Sequence, residues 1–596
     1  MRKNAEIYQE NGRKIIRGLG DLEVKIPEKI KDFKSLIRYA QNKYQEKTAF
    51  LYKRNRKTIR KSYSDFAEDV DCLGTELCAN DLKNKKIAII SENRYEWSLA
   101  YMAVTAGTGV VVPLDKHLPE GEITNLIERS GCEAIFFSKN YKEIMEKMAG
   151  TNTKLKQYIC FDEIETEKNS KIKVLKEYME KGKARLEAGH KTFLKAEVNP
   201  EETSVLLFTS GTTKRSKGVL LSQRNILSNL FSCSALIRAK EKDVHLSLLP
   251  LHHTFENTLG FLFMFYSGVC ISYCEGIKHI SDNMKEFQVS VLVAVPAIFE
   301  TLYNRIRTEI KKSGKENSVN RLMALSSFFL RLHLDLRRWI MAPVRKKISP
   351  KLRLMASGAA PIRKEIIEYF ESLGILFLQG YGLTETSPLI CATVPGKNPA
   401  GTVGCPVKDV EITIDSPDQE GIGEIYVKGK NVTKGYFDSP EETKEAFTED
   451  GWFKTGDLGV IDETGNLKIT GREKSMIVLY NGKKAFPEEY EELINAIPGV
   501  KESFVWGYKT KDNDVQICAE LVLEEASKAE AVEEAIRHMN ETIPKYKIIR
   551  YVLFSKNELI KTTTLKVKRA LEEKKIQEFL QMRGLEIRKA HKMWIE

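Results

Sequence analysis

No two of the ten cysteines in this 596-residue chain stand in CxxC spacing. That pattern excludes a zinc cage and a disulfide framework as organising devices and leaves buried reduced thiols, in a cytoplasmic setting, as the expectation. Cys270 and Cys274, four apart in an apolar run, read as core packing. Long hydrophobic runs are missing too. The longest, Gly260 to Cys274, is shorter than the roughly 20 residues that cross a bilayer. The opening stretch MRKNAEIYQENGRKIIRGLG has no apolar core of signal-peptide length. No solenoid-period repeat and no low-complexity tract is found. Zinc-finger spacing, an RNP-like aromatic run and a basic zipper are all absent, so nucleic acid is not the expected partner of the net +12 charge. Anionic lipid and phosphorylated small molecules remain. A Walker loop, GxxxxGK[ST], is absent as well.

What is present is the composition of a water-soluble chain of several domains: 42% hydrophobic and 30% charged residues, with 37 Gly and 18 Pro. Short apolar runs alternate with helical patterns, which predicts a parallel α/β architecture. KKIAII (85–90) reads as a buried strand, EWSLAYMAVTAG as a helix, GVVVPL as the next strand, and EGEITNLIERSG as a helix ending at Gly131. The rhythm recurs at SVLLFTSG, at VSVLVAVPAIFETLYNRI and at LRLMASGAAPIRKEIIEYFESLG. From about residue 403 to 472 short alternating strands and glycine turns predict an antiparallel β subdomain. A smaller α/β module then runs to about Lys568, followed by a basic, helix-like tail. The turn at Gly471–Lys474 divides a large domain, 1–472, from a small one, 473–596. Residues 311–348 break the rhythm as an insertion. There Leu322, Leu325, Phe329, Leu332, Leu336 and Trp339 or Ile340 follow i, i+3, i+4 spacing, with Arg331, Asp335 and Arg338 opposite. This reads as an amphipathic helix, packed on its own domain or lying on a membrane surface.

Chemistry concentrates in a few loops. FTSGTTKRSKGV (208–219) follows a predicted strand, and Gly211 lets backbone N–H groups converge on an anion. The hydroxyls of Thr209, Ser210, Thr212 and Thr213 add donors, and Lys214, Arg215 and Lys217 add charge, which suits a polyphosphate. QGYGLTETSP offers Tyr381 to stack on a base, Gly380 and Gly382 for close approach, Thr384 to touch phosphate and Glu385 to hold Mg²⁺. Asp457 in KTGDLG suits ribose hydroxyls, TGREK supplies Arg472, and KTTTLKVKR presents Lys566 in a short loop.

Taken together, in this order and over about residues 47–569, these motifs resemble the adenylate-forming (AMP-binding) superfamily, and within it the long-chain fatty acyl-CoA synthetases. The resemblance implies a large adenylation domain with a β-barrel-like subdomain and a small, mobile C-terminal domain. It implies that Thr209, Ser210, Gly211, Thr212, Thr213, Lys217 and Gly218 form the phosphate loop. By the same resemblance His253 of LPLHHTFE borders the acyl pocket, and Glu256 follows the long-chain subgroup. Gly358, Ala359, Ala360 and Pro361 lie along adenine and the acyl carboxylate, and Gln379 to Glu385 serve adenine, phosphate and Mg²⁺. Asp457 and Arg472 bind ribose, Lys474 is the hinge, and Lys566 is the catalytic lysine. The chain departs from the family at Lys214 and Ser216, where Gly and Pro are usual. It departs also at Ala297, usually arginine, at Lys484, a frequent asparagine, and at Leu565, usually glycine.

The implied reaction is ATP-dependent activation of a long-chain fatty acid to acyl-AMP, with pyrophosphate release, then transfer to CoA. Catalysis would fall to Lys566, Thr384, Glu385 and His253, with Mg²⁺ on Glu385 and ATP and CoA as co-substrates. No nucleophile of the protein's own stands out, so the two substrates attack directly. The alternatives are a ligase that loads an acyl carrier protein and a non-catalytic acyl or nucleotide binder. A monomer or homodimer is expected, with peripheral contact to an anionic membrane. For His252 and His253, a pocket wall is the expected role rather than metal binding.

Overall fold

The computed structural model describes residues 4–20, 23, 27, 29–151, 154–165, 171–209, 216–394, 401–479, 483–510, 514–562 and 565–595. The chain divides into two compact units. One holds Met1–Tyr8, Ile15–Ile412 and Val427–Phe453, and the other Gln9–Lys14, Thr413–Tyr426 and Lys454–Glu596.

The first unit is built on two large sheets. In the seven-stranded sheet, Lys85–Ile90 pairs in parallel with Gly109–Pro113 and Ala134–Phe137, then Gln157–Cys160 and Ile172–Val174 follow in parallel. On the other side Thr203–Thr209 joins Gly109–Pro113 in parallel, and Lys217–Ser222 closes that edge antiparallel. The four residues Ile87–Ile90 are all buried, as expected of a parallel strand covered on both faces. The helix Glu120–Ser130 ends where the sequence predicts, at Gly131 with φ 68°.

The nine-stranded sheet carries a parallel centre: Thr48–Arg54, Cys270–Tyr273, Val244–Ser247, Val291–Ala294, Leu354–Ser357 and Leu376–Gly382 in spatial order. Antiparallel strands finish both edges, Lys57–Ser62 on one and, on the other, Leu389–Ala392 followed by the outermost Cys405–Pro406. One apolar core gathers Leu246, Leu292, Phe299, Met355, Phe370 and Phe377 around this sheet.

From Val410 onward the expected short strands are present. Val410–Asp415, Gly423–Gly429, Phe453–Ile461 and Leu467–Arg472 are consecutive neighbours in one sheet, the last two an antiparallel hairpin. Residues 413–426 and 454–472 of that stretch belong to the second unit. The remainder of the second unit is a four-stranded sheet in the order Val500–Lys509, Val515–Leu523, Tyr551–Ser555, Trp594–Ile595. The basic tail read as a helix-like end is a structural part of this module. Its helix Arg569–Met582 buries Ile576, Phe579 and Leu580, and the chain then returns as the strand Trp594–Ile595, parallel to Tyr551–Ser555. The helix is present as expected, and its buried stripe at i, i+3, i+4 extends the module past Lys568 to the strand Trp594–Ile595.

The insertion corrects a second expectation. One continuous amphipathic helix is not formed. The helix Glu316–Arg331 stops, His333 takes φ 60°, and a short helix Arg337–Ile340 follows. Val319, Leu322, Met323 and Ile340 pack on the core, while Leu325, Leu332, Leu336 and Trp339 stay exposed. The break rotates the second half out of register with the first, so the single apolar stripe splits in two.

All ten cysteines are free thiols. Among the described residues no helix is long and apolar enough to cross a membrane.

Candidate active site

Four motif-bearing segments leave the C-terminal ends of adjacent parallel strands, the customary place for ligands in an open α/β sheet. LPLHHTFE follows Val244–Ser247, VPAIFE follows Val291–Ala294, SGAAP follows Leu354–Ser357, and QGYGLTETSP continues Leu376–Gly382. Their registers are fixed by pairing: Ala294 opposes Ser357, and Ser357 opposes Gln379. Gly358 is the point where three motifs meet. A Cβ there would lie 2.9 Å from the Phe255 ring and 3.4 Å from the Gly380 carbonyl oxygen, so only glycine fits without displacement. Ala359 next to it has φ 74°, a conformation that costs a non-glycine residue energy and is found enriched at functional sites. Ala360 and Pro361 are exposed.

Gly382 is equally constrained, since its Cβ would stand 1.8 Å from the Pro388 carbonyl oxygen. Closing the chain this tightly sets up the single turn Thr384–Thr386 that presents Glu385. The turn is held from behind by buried amides. Asn431 donates from Nδ2 to the Thr386 and Leu389 carbonyls at 3.0 and 3.1 Å, and Asn229 donates to the Leu389 carbonyl at 2.7 Å. Asn225 donates to the carbonyls of Lys430 and Val432 at 2.8 and 2.9 Å. The Thr433 N–H donates to the backbone carbonyl of Glu385 at 2.7 Å.

The Glu385 side chain accepts a hydrogen bond from the Tyr436 hydroxyl, 3.0 Å to Oε1. Burial and the adjacent carboxylate push the Tyr436 phenol far above its ordinary pKa, so it stays a donor at any physiological pH. Thr384 and Glu385 offer oxygen donors only, a set that suits a hard cation such as Mg²⁺. Tyr436 also reaches the phosphate loop. It bridges antiparallel to Val219, Phe437 donates from N–H to the Gly218 carbonyl at 2.7 Å, and the Lys217 ammonium sits 5.0 Å from the centre of the Tyr436 ring. Lys217 is paired with Glu442 at 3.1 Å. Thr209 opposes Lys217 across the hairpin that carries the loop. Ser210, Gly211, Thr212, Thr213, Lys214 and Arg215 lie outside the described residues. Ser216, where the family has proline, is anchored instead by polar contacts: its hydroxyl donates to Glu122 Oε1 at 3.1 Å, and Arg129 donates to its carbonyl at 3.1 Å.

Gln379 exchanges backbone–hydroxyl and backbone bonds with Thr393, 2.8 and 2.9 Å, and Tyr381 pairs with Cys391 across the edge strands, half-buried. His253 is half-buried at the start of the π-helical turns Phe255–Phe263, its ring 4.3 Å from that of His252. Asp115, His252 and His253 each bring one ligand-type atom within 4.8 Å of the others, with His252 Nε2 3.7 Å from Asp115. His252 lines a cavity of about 10 Å³ with Tyr101, Val205, Leu207 and Leu221, room for a single water and not for an acyl chain. Glu256 points inward: it is fully buried and its Oε1 lies 3.4 Å from His245 Nε2, itself fully buried.

The remaining expected site residues lie in the second unit. Asp457 is buried and opposes Arg472 across the hairpin, with Arg472 Nε 2.9 Å from Oδ1. Thr455 orients it, donating to the Ile425 carbonyl at 2.7 Å while accepting from the Asp457 N–H at 3.1 Å. Lys474 is exposed in the turn Glu473–Ser475. Lys566 is exposed in a tight loop in which the Thr562 N–H donates to its carbonyl at 2.8 Å and its own N–H donates to Thr562 Oγ1 at 3.1 Å. Leu565, preceding it, has φ 60°.

Tyr436, Thr433, Asn225, Asn229 and Asn431 are the residues that sequence reasoning missed. Tyr436 closes the stretch KNVTKGY, but nothing local to that stretch distinguishes it from a strand-end aromatic.

A model of the AMP-binding enzyme family matches residues 37–437. The chain belongs to that family. Within it, this AMP-binding enzyme is 31% identical over 474 residues to the human protein named long-chain-fatty-acid–CoA ligase 1, covering 75% of this chain and 67% of that one. It is 27% identical over 505 residues to an Arabidopsis thaliana chloroplast protein named long-chain-fatty-acid–[acyl-carrier-protein] ligase AEE15, covering 73% and 68%. Its fold matches that of the O-succinylbenzoate coenzyme A synthetase of Bacillus subtilis, solved in complex with ATP and magnesium ion, with a TM-score of 0.70 and 22% identity over 90% of this chain and 99% of that one. The α/β adenylate-forming architecture expected from the motifs is thereby established.

Proposed function

We propose that this AMP-binding enzyme activates a long-chain fatty acid with ATP and passes the acyl group to CoA. The observation that carries the reading is the meeting of Phe255, Gly358 and Gly380 at one end of the parallel sheet, with Glu385, five residues on from Gly380 in the same motif, accepting a hydrogen bond from Tyr436. The names of the relatives at about 30% identity support the long-chain acid and CoA.

In the proposed reaction a carboxylate oxygen of the acid attacks the α-phosphorus of ATP, and the bond to the β-phosphate oxygen breaks, releasing pyrophosphate. The CoA sulfur then attacks the acyl carbonyl and AMP departs. Both partners of the first step are anionic, so the protein's task is to align them and offset charge. Thr209, Ser210, Gly211, Thr212, Thr213, Lys217 and Gly218 would cradle the β- and γ-phosphates. Gly358, Ala359 and Ala360, with Gln379, Gly380, Tyr381 and Gly382, would line adenine. Thr384 would touch phosphate, and Asp457 and Arg472 would take the ribose hydroxyls. A Mg²⁺ held at Glu385 would neutralise phosphate charge. His253, Ala359, Ala360 and Pro361 would border the acyl group. Lys566 would supply the cation of the first half-reaction, and Lys474 would be the pivot at a boundary between domains 1–472 and 473–596. The ten free thiols support a reducing, cytoplasmic setting.

The test is AMP release from ATP with straight-chain acids of two to eighteen carbons. Release that rises with chain length and needs CoA is the expected result. Absence of any acid-dependent release would overturn the reading. The likeness to the Arabidopsis protein favours one second reading, an acyl carrier protein as acceptor, and replacing CoA by that carrier separates the two.

A further inference from the structure

Loops from the two large sheets of the first unit meet at His252. Asp115 follows the strand Gly109–Pro113 of the seven-stranded sheet, and His252 and His253 follow Val244–Ser247 of the nine-stranded sheet. Asn93, beyond the end of Lys85–Ile90, holds the second loop against the first sheet. Its Nδ2 donates to the Leu249 carbonyl at 2.6 Å, and its Oδ1 accepts from the Leu251 N–H at 3.1 Å. The turn that presents the two histidines closes with the His253 N–H donating to the Pro250 carbonyl at 3.0 Å.

Asp115, His252 and His253 thereby offer one carboxylate oxygen and two imidazole nitrogens, all within 4.8 Å of one another. Among the described residues no other three His, Cys, Asp or Glu side chains come together in this way. The carboxylate is already oriented: its Oδ1 accepts the His117 N–H at 2.9 Å, and its Oδ2 stands 3.7 Å from His252 Nε2. That nitrogen has no hydrogen-bond partner, although the His252 side chain is only 8% exposed. A buried polar atom without a partner is uncommon, and a bound ion is one of the few things that account for it. A pocket wall, the role expected from the sequence, does not explain a carboxylate aimed at such a nitrogen. The spacing suits a small cation of the transition series. Two donors about 2.1 Å from a tetrahedral ion lie about 3.4 Å apart, so His252 and Asp115 are near that separation and the widest pair has about 1 Å to close. Asp115 and His253 are half-buried, which leaves their side chains room for that movement. Two imidazoles and one carboxylate are the donors of three-ligand zinc sites, whose fourth position is open to water, and a ligating carboxylate in such sites is itself hydrogen-bonded. Mg²⁺ prefers oxygen donors alone, so this set differs in kind from the one at Glu385.

We propose that Asp115, His252 and His253 bind one Zn²⁺ or a similar transition-metal cation, at a site separate from any Mg²⁺ at Glu385. His253 also borders the acyl group in the proposed function, but metal binding is read on the protein alone, without ATP, acid or CoA, so the failure of either reading leaves the other standing.

The experiment is a Co²⁺ titration of the full chain, stripped of metal with a chelator and kept reduced, in excess Mg²⁺, followed by visible absorption and then by displacement with Zn²⁺. One equivalent should give the ligand-field bands of four-coordinate Co²⁺ without the near-ultraviolet band of thiolate coordination, and Zn²⁺ should remove them. His252→Gln and His253→Gln should each weaken binding about 100-fold or more, and Asp115→Asn about tenfold, whereas Glu385→Gln should leave it unchanged. Thermal unfolding midpoints measured without metal establish that each variant folds. Wild-type protein that develops no Co²⁺ spectrum overturns the proposal whatever the variants do. A spectrum with thiolate bands overturns it in favour of the free cysteines. A spectrum lost in Glu385→Gln and kept in both histidine variants overturns it in favour of Glu385.

Discussion

The Tyr436 hydroxyl donates to Glu385 Oε1 at 3.0 Å while the ring of the same tyrosine sits 5.0 Å from the Lys217 ammonium. One aromatic side chain thus couples the carboxylate read as the Mg²⁺ ligand to the strand that leaves the phosphate loop. A hydrogen bond to a charged group is worth about 1.5–3 kcal/mol, part of which positions the carboxylate. Tyr436→Phe keeps the ring and removes the donor. Acid-dependent ATP–pyrophosphate exchange should fall about tenfold in kcat/KM, equivalent to about 1.4 kcal/mol, and its dependence on Mg²⁺ concentration should shift. Superimposable Mg²⁺ titrations for the two proteins would refute the coupling.

Ser216 replaces the family's usual proline with a tether to another helix, through Glu122 and Arg129. Ser216→Ala removes the donor and Glu122→Ala the acceptor of the same 3.1 Å bond. Each should raise the KM for ATP a few-fold, and the double variant should be no worse than the poorer single one, a coupling of about 0.5–1.5 kcal/mol. Additive effects would mean that the two side chains act separately.

Leu565 occupies the left-handed region, φ 60°, immediately before Lys566. An L-residue there costs about 1–2 kcal/mol that glycine avoids. Leu565→Gly should therefore be about 1 kcal/mol more stable than Leu565→Ala, which keeps the strain and loses the same leucine contacts. Urea unfolding of the two variants measures the difference, and coincident midpoints would show that the loop relaxes at no cost.

The His245–Glu256 pair is fully buried, 3.4 Å apart. Removing one member of such a pair leaves an uncompensated polar group, at about 3–5 kcal/mol. Glu256→Ala should reach that range in denaturant unfolding, whereas Glu256→Gln, which keeps a polar group opposite His245, should cost about 1–2 kcal/mol. Equal losses would assign the effect to volume rather than to the unpaired histidine.

Much of the fold was legible because its signals are local. A buried parallel strand such as Ile87–Ile90 needs consecutive apolar residues, and a helix stop such as Gly131 needs a residue tolerant of φ 68°. The motif loops were legible for the same reason: Gly358 and Gly382 stand where backbone or ring atoms approach too closely for any Cβ. Tyr436 was not legible, since its partner Glu385 lies 51 residues away, nor were Asn225 and Asn229, which reach across 205 and 160 residues. The insertion was half legible. Its spacing was helical, but the stop after Arg331 depends on His333 adopting φ 60°, and that rotates Trp339 away from the core.

Residue order alone determined the alternation of strands and helices, the placement of the glycines and hydroxyls in the phosphate loop, and the charge of residues 311–348, because propensity, steric exclusion and net charge act over a few neighbouring residues. Only the tertiary structure decided that Phe255, Gly358 and Gly380 meet, that Tyr436 holds Glu385, that Glu256 turns inward to His245, and which apolar side chains of the insertion stay in water. Those outcomes follow from which strands lie side by side and how their side chains fill the space between sheets and helices, a property of packing over the whole unit rather than of any one stretch of chain.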